Sequence, residues 1–173
     1  MKNLKIINHS LSGRIDFKTI DNFKPGLIQL ILKNSYSKFT DCFPNAKEIF
    51  YKQWEEEDND AFNNPNTIGK YLFFTCLKDV PIGYCSWDER EKPVGIIGQN
   101  CILPEYQGQG YGMKQIELII NIFKDKKFGE IRVVTGEHEF FIPAQRIYTQ
   151  CGFKKRQRIN GNLFNRIEFY KIL

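Results

Sequence analysis

Histidine is nearly missing from this 173-residue chain: only His9 and His138 occur, and neither falls in an HxxxH or HxE pattern. Transition-metal centres are built largely on closely spaced imidazoles and thiolates, so no metal site is expected. The five cysteines, at 42, 76, 85, 101 and 151, are odd in number and include no CxxC pair. That spacing argues against a zinc ribbon and a disulfide framework, and reads as reduced, mostly buried thiols. Long apolar runs are absent too, and none approaches the roughly 20 residues of a membrane helix. The opening "MKNLKIINHSLSGR" mixes charge and amide into its short apolar run and lacks the profile of a secretory leader. A cytoplasmic protein with no membrane partner is the expectation. Internal repeats and low-complexity segments are also lacking.

What is present suffices for one domain spanning residues 1–173, since 42% of the residues are hydrophobic and 14% aromatic. The net charge of +5 is unevenly placed: residues 1–90 hold 12 basic and 12 acidic side chains, residues 91–173 hold 13 and 8. A basic second half suits an anionic ligand, either a phosphorylated cofactor or a nucleic acid, and equally a plain solvated surface.

Alternation predicts a strand at 13–20. Pro25 sits in the first turn of a helix through "PGLIQLILKNSY", with Leu27, Ile28, Ile31 and Leu32 as its apolar stripe. A second helix follows Pro44, with Ile49, Phe50 and Trp54 on one side and the acidic "EEEDND" as a solvated end. "YLFFTCLK" (71–78) and "PIGYCSW" (81–87) form a hairpin about Asp79-Val80. The strand 94–103 contains Gly95 and Gly98, marks of a bulge or a close backbone approach. A helix carrying Ile116, Ile119, Ile120 and Phe123 stops near Gly129, and strand 130–136 follows. Strand, helix, strand implies a parallel pair. "FIPAQRIYTQCGF" is a further helix closed by Gly152, and a last hairpin turns at Asn160-Gly161. The fold class is mixed α/β: a largely antiparallel sheet with one parallel central pair, flanked by helices.

"LPEYQGQGYGMKQ" places Gly108, Gly110 and Gly112 where a strand hands over to a helix. A triphosphate-binding loop requires GxxxxGK followed by Ser or Thr, but Lys114 is followed by Gln115. A dinucleotide loop requires GxGxxG, and position 113 is Met. Glycines nonetheless let backbone N–H groups approach an anion, and a helix start adds its positive dipole end. A pyrophosphate cradle is the functional reading; a tight turn is the plain one.

Gln107-x-x-Gly110-x-Gly112 resembles the Q/R-x-x-G-x-G/A signature of the GNAT superfamily of N-acetyltransferases. "AQRIYTQCGF" is similar to that family's closing helix, and the likeness is clearest over residues 67–173. The resemblance implies acetyl-CoA as co-substrate, transfer of its acetyl group to a primary amine of a small molecule or peptide, and a homodimer built from the closing hairpin. It implies that the backbone of Cys101 and Ile102 pairs with the pantetheine arm. Gln107, Gly108, Gln109, Gly110, Tyr111 and Gly112 would then hold the phosphates. Tyr148 falls where the family's tyrosine protonates or hydrogen-bonds the coenzyme A sulfur, and a backbone N–H near Ile102 would polarise the thioester carbonyl.

Two departures stand out. The strand before the loop offers Gln99 and Asn100 where many relatives place a basic Glu, so the general base is open among Glu137, His138, Asp88, Glu89 and water. Phe141 stands where relatives often carry an Asn that contacts the cofactor, and with Phe140 it either packs or lines an acceptor pocket. Two other classes are a coenzyme A-binding regulator without turnover and, less favoured because strand charges alternate faces, a nucleic-acid-binding module using "KKRQR" (154–158); no nucleic-acid partner is expected. The acidic "EEED" suits a cationic amine.

Overall fold

The computed structural model describes residues 15–173, so His9 and residues 13 and 14 of the first expected strand lie outside it. Seven strands make one sheet: β1 (Ile15–Lys18), β2 (Leu72–Leu77), β3 (Val80–Asp88), β4 (Val94–Ile102), β5 (Glu130–Gly136), β6 (Lys154–Ile159) and β7 (Arg166–Ile172). Their order is β1-β2-β3-β4-β5-β7-β6, and β4 with β5 is the single parallel pair. Five α-helices flank it: α1 (Leu27–Ser35), α2 (Ser37–Asp41), α3 (Pro44–Asn63), α4 (Tyr111–Asp125) and α5 (Ile142–Gln150).

Period-2 burial sorts the core into two layers. Phe73, Cys85, Ile97 and Val133 point to one face and meet Ile116, Ile119 and Phe123 of α4 and Tyr148 of α5. Leu72, Phe74, Tyr84 and Cys101 point to the other and meet Ile28, Ile31 and Leu32 of α1 and Trp54 of α3. Each fully buried Ile or Phe contributes about 1.5–3 kcal/mol.

Helix ends are built from local chemistry. α5 closes in a Schellman motif: Phe153 N–H donates to Tyr148 C=O at 2.9 Å, Gly152 N–H to Thr149 C=O at 3.0 Å, and Gly152 has φ +83°. α4 ends the same way, but Lys127 (φ 58°) occupies the left-handed position. Gly129, expected as the stop, instead donates to Pro93 C=O.

Other local expectations yield to tertiary packing. The β2–β3 hairpin turns on Lys78-Asp79, both with positive φ, and not on Asp79-Val80. Ile49 is 53% exposed; the buried stripe of α3 runs through Ala46, Trp54, Asp58 and Ala61. The acidic run lies within α3, and it is not all solvated. Asp58 is fully buried and accepts N–H bonds from Gly26 (2.6 Å) and Ile28 (2.8 Å), capping α1 from 30 residues away. The last hairpin does not turn at Asn160-Gly161: residues 160–165 form a longer connection, and Gly161 lacks the positive φ of a type I′ turn. Phe164 explains the difference, because its ring docks among Phe39, Phe43 and Phe141.

Candidate active site

β4 and β5 pair only from Val94↔Glu130 to Ile97↔Val133 and then part. The cause is a bulge. Between the pairs Cys85↔Asn100 and Trp87↔Ile97, one residue of β3 (Ser86) opposes two of β4 (Gly98 and Gln99), and Gly98 lies so near Ser86 that a Cβ would sit 2.6 Å from its hydroxyl. That hydroxyl accepts the Gln99 N–H at 3.1 Å, which ties the bulge in place. Gln115 of α4, buried, donates to Thr75 Oγ1 (2.9 Å) and Cys101 C=O (3.2 Å) and holds the diverging half of β4 to the sheet.

A cavity of about 250 Å3 opens at the gap. Because the gap passes through the sheet, side chains from both layers reach it. Tyr148 and Ala144 come from α5, Tyr36, Phe39, Phe50 and Trp54 from the α1–α3 side, and Phe141, Phe164 and Arg166 from the far end.

The Tyr148 hydroxyl donates to Asn100 Oδ1 at 2.6 Å. Burial pushes its pKa well above the ordinary phenol range, so the group is a neutral donor at any physiological pH. The hydroxyls of two further tyrosines, half-buried Tyr36 and buried Tyr84, are likewise held neutral by desolvation. Tyr36 donates to Gln99 Oε1 at 3.2 Å and Tyr84 to Glu57 Oε1 at 2.7 Å.

At the other end of β4, Gly108 (φ +77°) and Gly110 (φ +82°) take left-handed conformations, and a Cβ on either would meet nothing. Gly110 is the N-cap of α4 and no side chain caps that end. The first intrahelical bond runs from Lys114 N–H to Gly110 C=O, so the N–H groups of Tyr111, Gly112 and Met113 precede the ladder. Gly112 has another reason to be glycine: a Cβ there would lie 3.2 Å from Ile147 of α5. The Tyr111 ring is buried beside Ile82 and Ile102 and leaves only its backbone to the loop. Gln109 is exposed. Gln107 Nε2 folds back to donate to Ile102 C=O at 2.8 Å. The structure thus brings Asn100 and Tyr148 to the cavity, while Gly108 to Gly112 lie at the start of α4 and the carbonyls of Cys101 and Ile102 already hold side-chain amides.

The four side chains considered as base are engaged elsewhere. Asp88 takes both Arg90 nitrogens, which hold its carboxyl below the usual range. Glu89 accepts from Trp87 Nε1 and pairs with Lys126. Glu137 pairs with Arg158 at 2.7 Å. His138 Nδ1 accepts the Phe140 N–H at 3.2 Å, and its ring lies edge-on to Phe39 and Phe43. None of the four lines the cavity.

A carboxylate not singled out from the sequence stands nearer. Glu57 lines a second groove that shares Gly98, Gln99 and Val134 with the cavity. Burial raises its pKa and neighbouring Asp58 adds to that, while the Tyr84 hydroxyl opposes it. In the sequence Glu57 is one letter of an acidic run, and nothing local separates it from Glu55 and Glu56. The two cysteines nearest the bulge, Cys85 and Cys101, offer no nucleophile: burial pushes the Cys101 thiol up to about 12 and raises that of Cys85 well above the ordinary thiol range. "KKRQR" is partly spent on structure, with Arg156 bidentate to Glu130 and stacked on Tyr170, and Arg158 on Glu137.

The glycine-led helix start, the bulged strand and the parted parallel pair define an acyltransfer scaffold. The GNAT acetyltransferase family model matches residues 35–153, more than half of the chain, and the protein belongs to that family. A GNAT-family protein from Desulfovibrio desulfuricans superposes with TM-score 0.72 at 14% identity, over 92% of this chain and 99% of the other. The NatC complex bound to Gag peptide and CoA matches with TM-score 0.60 at 17% identity, over 92% and 98%. A Bacillus subtilis acetyltransferase in complex with CoA matches with TM-score 0.52 at 17% identity, over 59% and 76%. No curated protein matches the chain by sequence.

Proposed function

We propose that the protein transfers an acetyl group from acetyl-CoA to a primary amine, by direct attack with both substrates bound. The observation that carries this reading is the uncapped, glycine-led start of α4 together with a buried tyrosine hydroxyl beside the parted strands. Acetyl-CoA would supply the activated thioester. The residues fit its pyrophosphate: bare backbone at Gly108 and Gly110 with the N–H groups of Tyr111, Gly112 and Met113 converging at a helix start. Gln107 and Gln109 contribute backbone to that loop, Gln107's side chain being committed to Ile102.

Tyr148 then serves the departing sulfur. Full proton transfer from so weak an acid to a thiolate of reference pKa about 8.5 is uphill, so its contribution is a strong hydrogen bond as charge develops on sulfur. The inert thiols of Cys85 and Cys101 favour direct attack over an acyl-enzyme. Glu57 is the proton acceptor for the incoming ammonium, reached past the Gln99 bulge, since a partly desolvated carboxylate with raised pKa is the better base. A homodimer through β6, which ends the sheet, belongs to the same reading and is tested by light scattering.

The test is calorimetric titration with acetyl-CoA followed by thiol release against a broad amine panel. Saturable binding with turnover supports the reading. Binding without turnover leaves a coenzyme A-binding regulator, and absence of binding removes the co-substrate altogether.

A further inference from the structure

Among the described residues, Arg166, itself exposed, is the one formally charged residue lining the cavity around Tyr148. Among the described residues its guanidinium has neither an ion pair nor a side-chain hydrogen bond, whereas Arg132, Arg156 and Arg158 on the neighbouring strands β5 and β6 all hold carboxylates. No Asp or Glu lines that cavity, and the acidic run of α3 reaches it nowhere, Glu57 opening on the adjoining groove. The walls are aromatic. Tyr36, Phe50, Phe141 and Phe164 are only half-buried and keep ring surface on the cavity, unlike the buried Phe39 and Trp54 behind them.

Resting on the acetyltransferase reading, we propose that the acceptor is an amine that also carries a carboxylate and a flat or branched apolar body. The guanidinium fork pairs with the carboxylate in two parallel N–H···O bonds, and the four ring faces cover the apolar body. A polycationic acceptor is disfavoured at the same place. Aromatic faces attract cations, but here an unneutralised guanidinium stands beside them and no carboxylate offsets the repulsion. The amino group points the other way, toward the Gln99 bulge and Glu57. This reverses the expectation drawn from the acidic run, and it assigns Arg166 to acceptor choice and not to catalysis.

Matched amines test it: phenylalanine against phenethylamine, leucine against isopentylamine, and spermidine, each with acetyl-CoA. The expected result is a kcat/KM about tenfold or more higher for each amino acid than for its decarboxylated partner, the size of a charge-assisted contact. Arg166→Gln should bring that ratio close to one with acetyl-CoA affinity retained, and Arg166→Lys should restore part of it. Preference for spermidine or for the decarboxylated amines overturns the proposal, as does a ratio that Arg166→Gln leaves unchanged. A titration with N-acetylphenylalanine and its amide, with and without coenzyme A, decides the matter independently of turnover. Binding of the acid alone, lost in Arg166→Gln, supports the carboxylate site; equal binding, or none, sinks it. Failure to bind acetyl-CoA would count against the acetyltransferase reading, while this titration still judges the pocket.

Discussion

The Tyr148 hydroxyl donates to Asn100 Oδ1 at 2.6 Å, joining α5 to the diverging half of β4 across 48 residues of sequence. A phenol has one proton to give, so while Asn100 holds it no sulfur can receive it. On the proposed mechanism, rotation of the Asn100 amide would resolve the conflict: its NH2 would donate to the phenol oxygen and free the Tyr148 proton for the cavity. An amide suits this position because it is acceptor and donor at once.

Tyr148→Phe should therefore lower kcat about a hundredfold with little change in acetyl-CoA affinity. Asn100→Asp should do nearly the same damage with Tyr148 intact, because a carboxylate only accepts and pins the phenol proton. Steady-state kinetics paired with calorimetry separates the two constants. A normal kcat in Asn100→Asp would contradict the rotation.

At Gly110 the backbone is left-handed but the space is open, which separates two effects. Gly110→Ala should cost about 1–2 kcal/mol of conformational strain and weaken acetyl-CoA binding only severalfold. Gly110→Asp adds a negative charge at the cradle and should abolish binding. Equal affinities for both variants would mean that no anion sits there.

Glu57 bears on pH. A carboxyl whose pKa is raised must lose its proton before it can accept one, so the acidic limb of kcat/KM should lie above the usual glutamate value. Tyr84→Phe removes the donor that favours the carboxylate, so the limb should move to higher pH. Glu57→Gln should abolish the limb and lower kcat/KM about a hundredfold near neutrality, with partial recovery in alkaline buffer as the free amine accumulates. An unchanged profile in Glu57→Gln would exclude it as the base.

Asp58 tests stability alone. Its carboxylate satisfies the N–H groups at the start of α1 from a fully buried position on α3, 14 residues beyond Pro44 in that 20-residue helix. Asp58→Ala leaves those donors unmet and should destabilise by about 2 kcal/mol, whereas Asp58→Asn keeps an acceptor and should cost less. Thermal melts of the three proteins give the order. Equal melting temperatures for Ala and Asn would mean that the cap contributes only volume.

Much of this protein is written locally. The i, i+3, i+4 stripes of α1 and α4, the period-2 runs of β2 to β5 and the glycines that demand positive φ at 108, 110 and 152 depend on neighbours in sequence, so the residues alone predict them. The glycine loop and the Ala144, Tyr148, Gly152, Phe153 spacing also carried the family. Gly152-Phe153 is legible for a plain reason: the Schellman motif needs that glycine and that apolar residue at those two places.

What only the tertiary structure decided are the choices made among chemically identical neighbours. Glu55, Glu56, Glu57 and Asp58 read alike, yet α3 turns Glu57 to a tyrosine hydroxyl and Asp58 to a helix end while leaving the first two in water. Asn160-Gly161 promises a two-residue turn, and docking of the Phe164 ring against Phe39, Phe43 and Phe141 overrides it. Glu137 and His138 lie in a loop near the site in sequence but spend their polar atoms on Arg158 and Phe140. Arg166 looks like any strand cation until the parted strands open a cavity beside it. Helical and strand periods are local and repeat, so the sequence determined the elements and the glycine loop. Which carboxylate, ring or guanidinium faces the gap depends on how two core layers pack across a sheet, a relation between residues far apart in the chain.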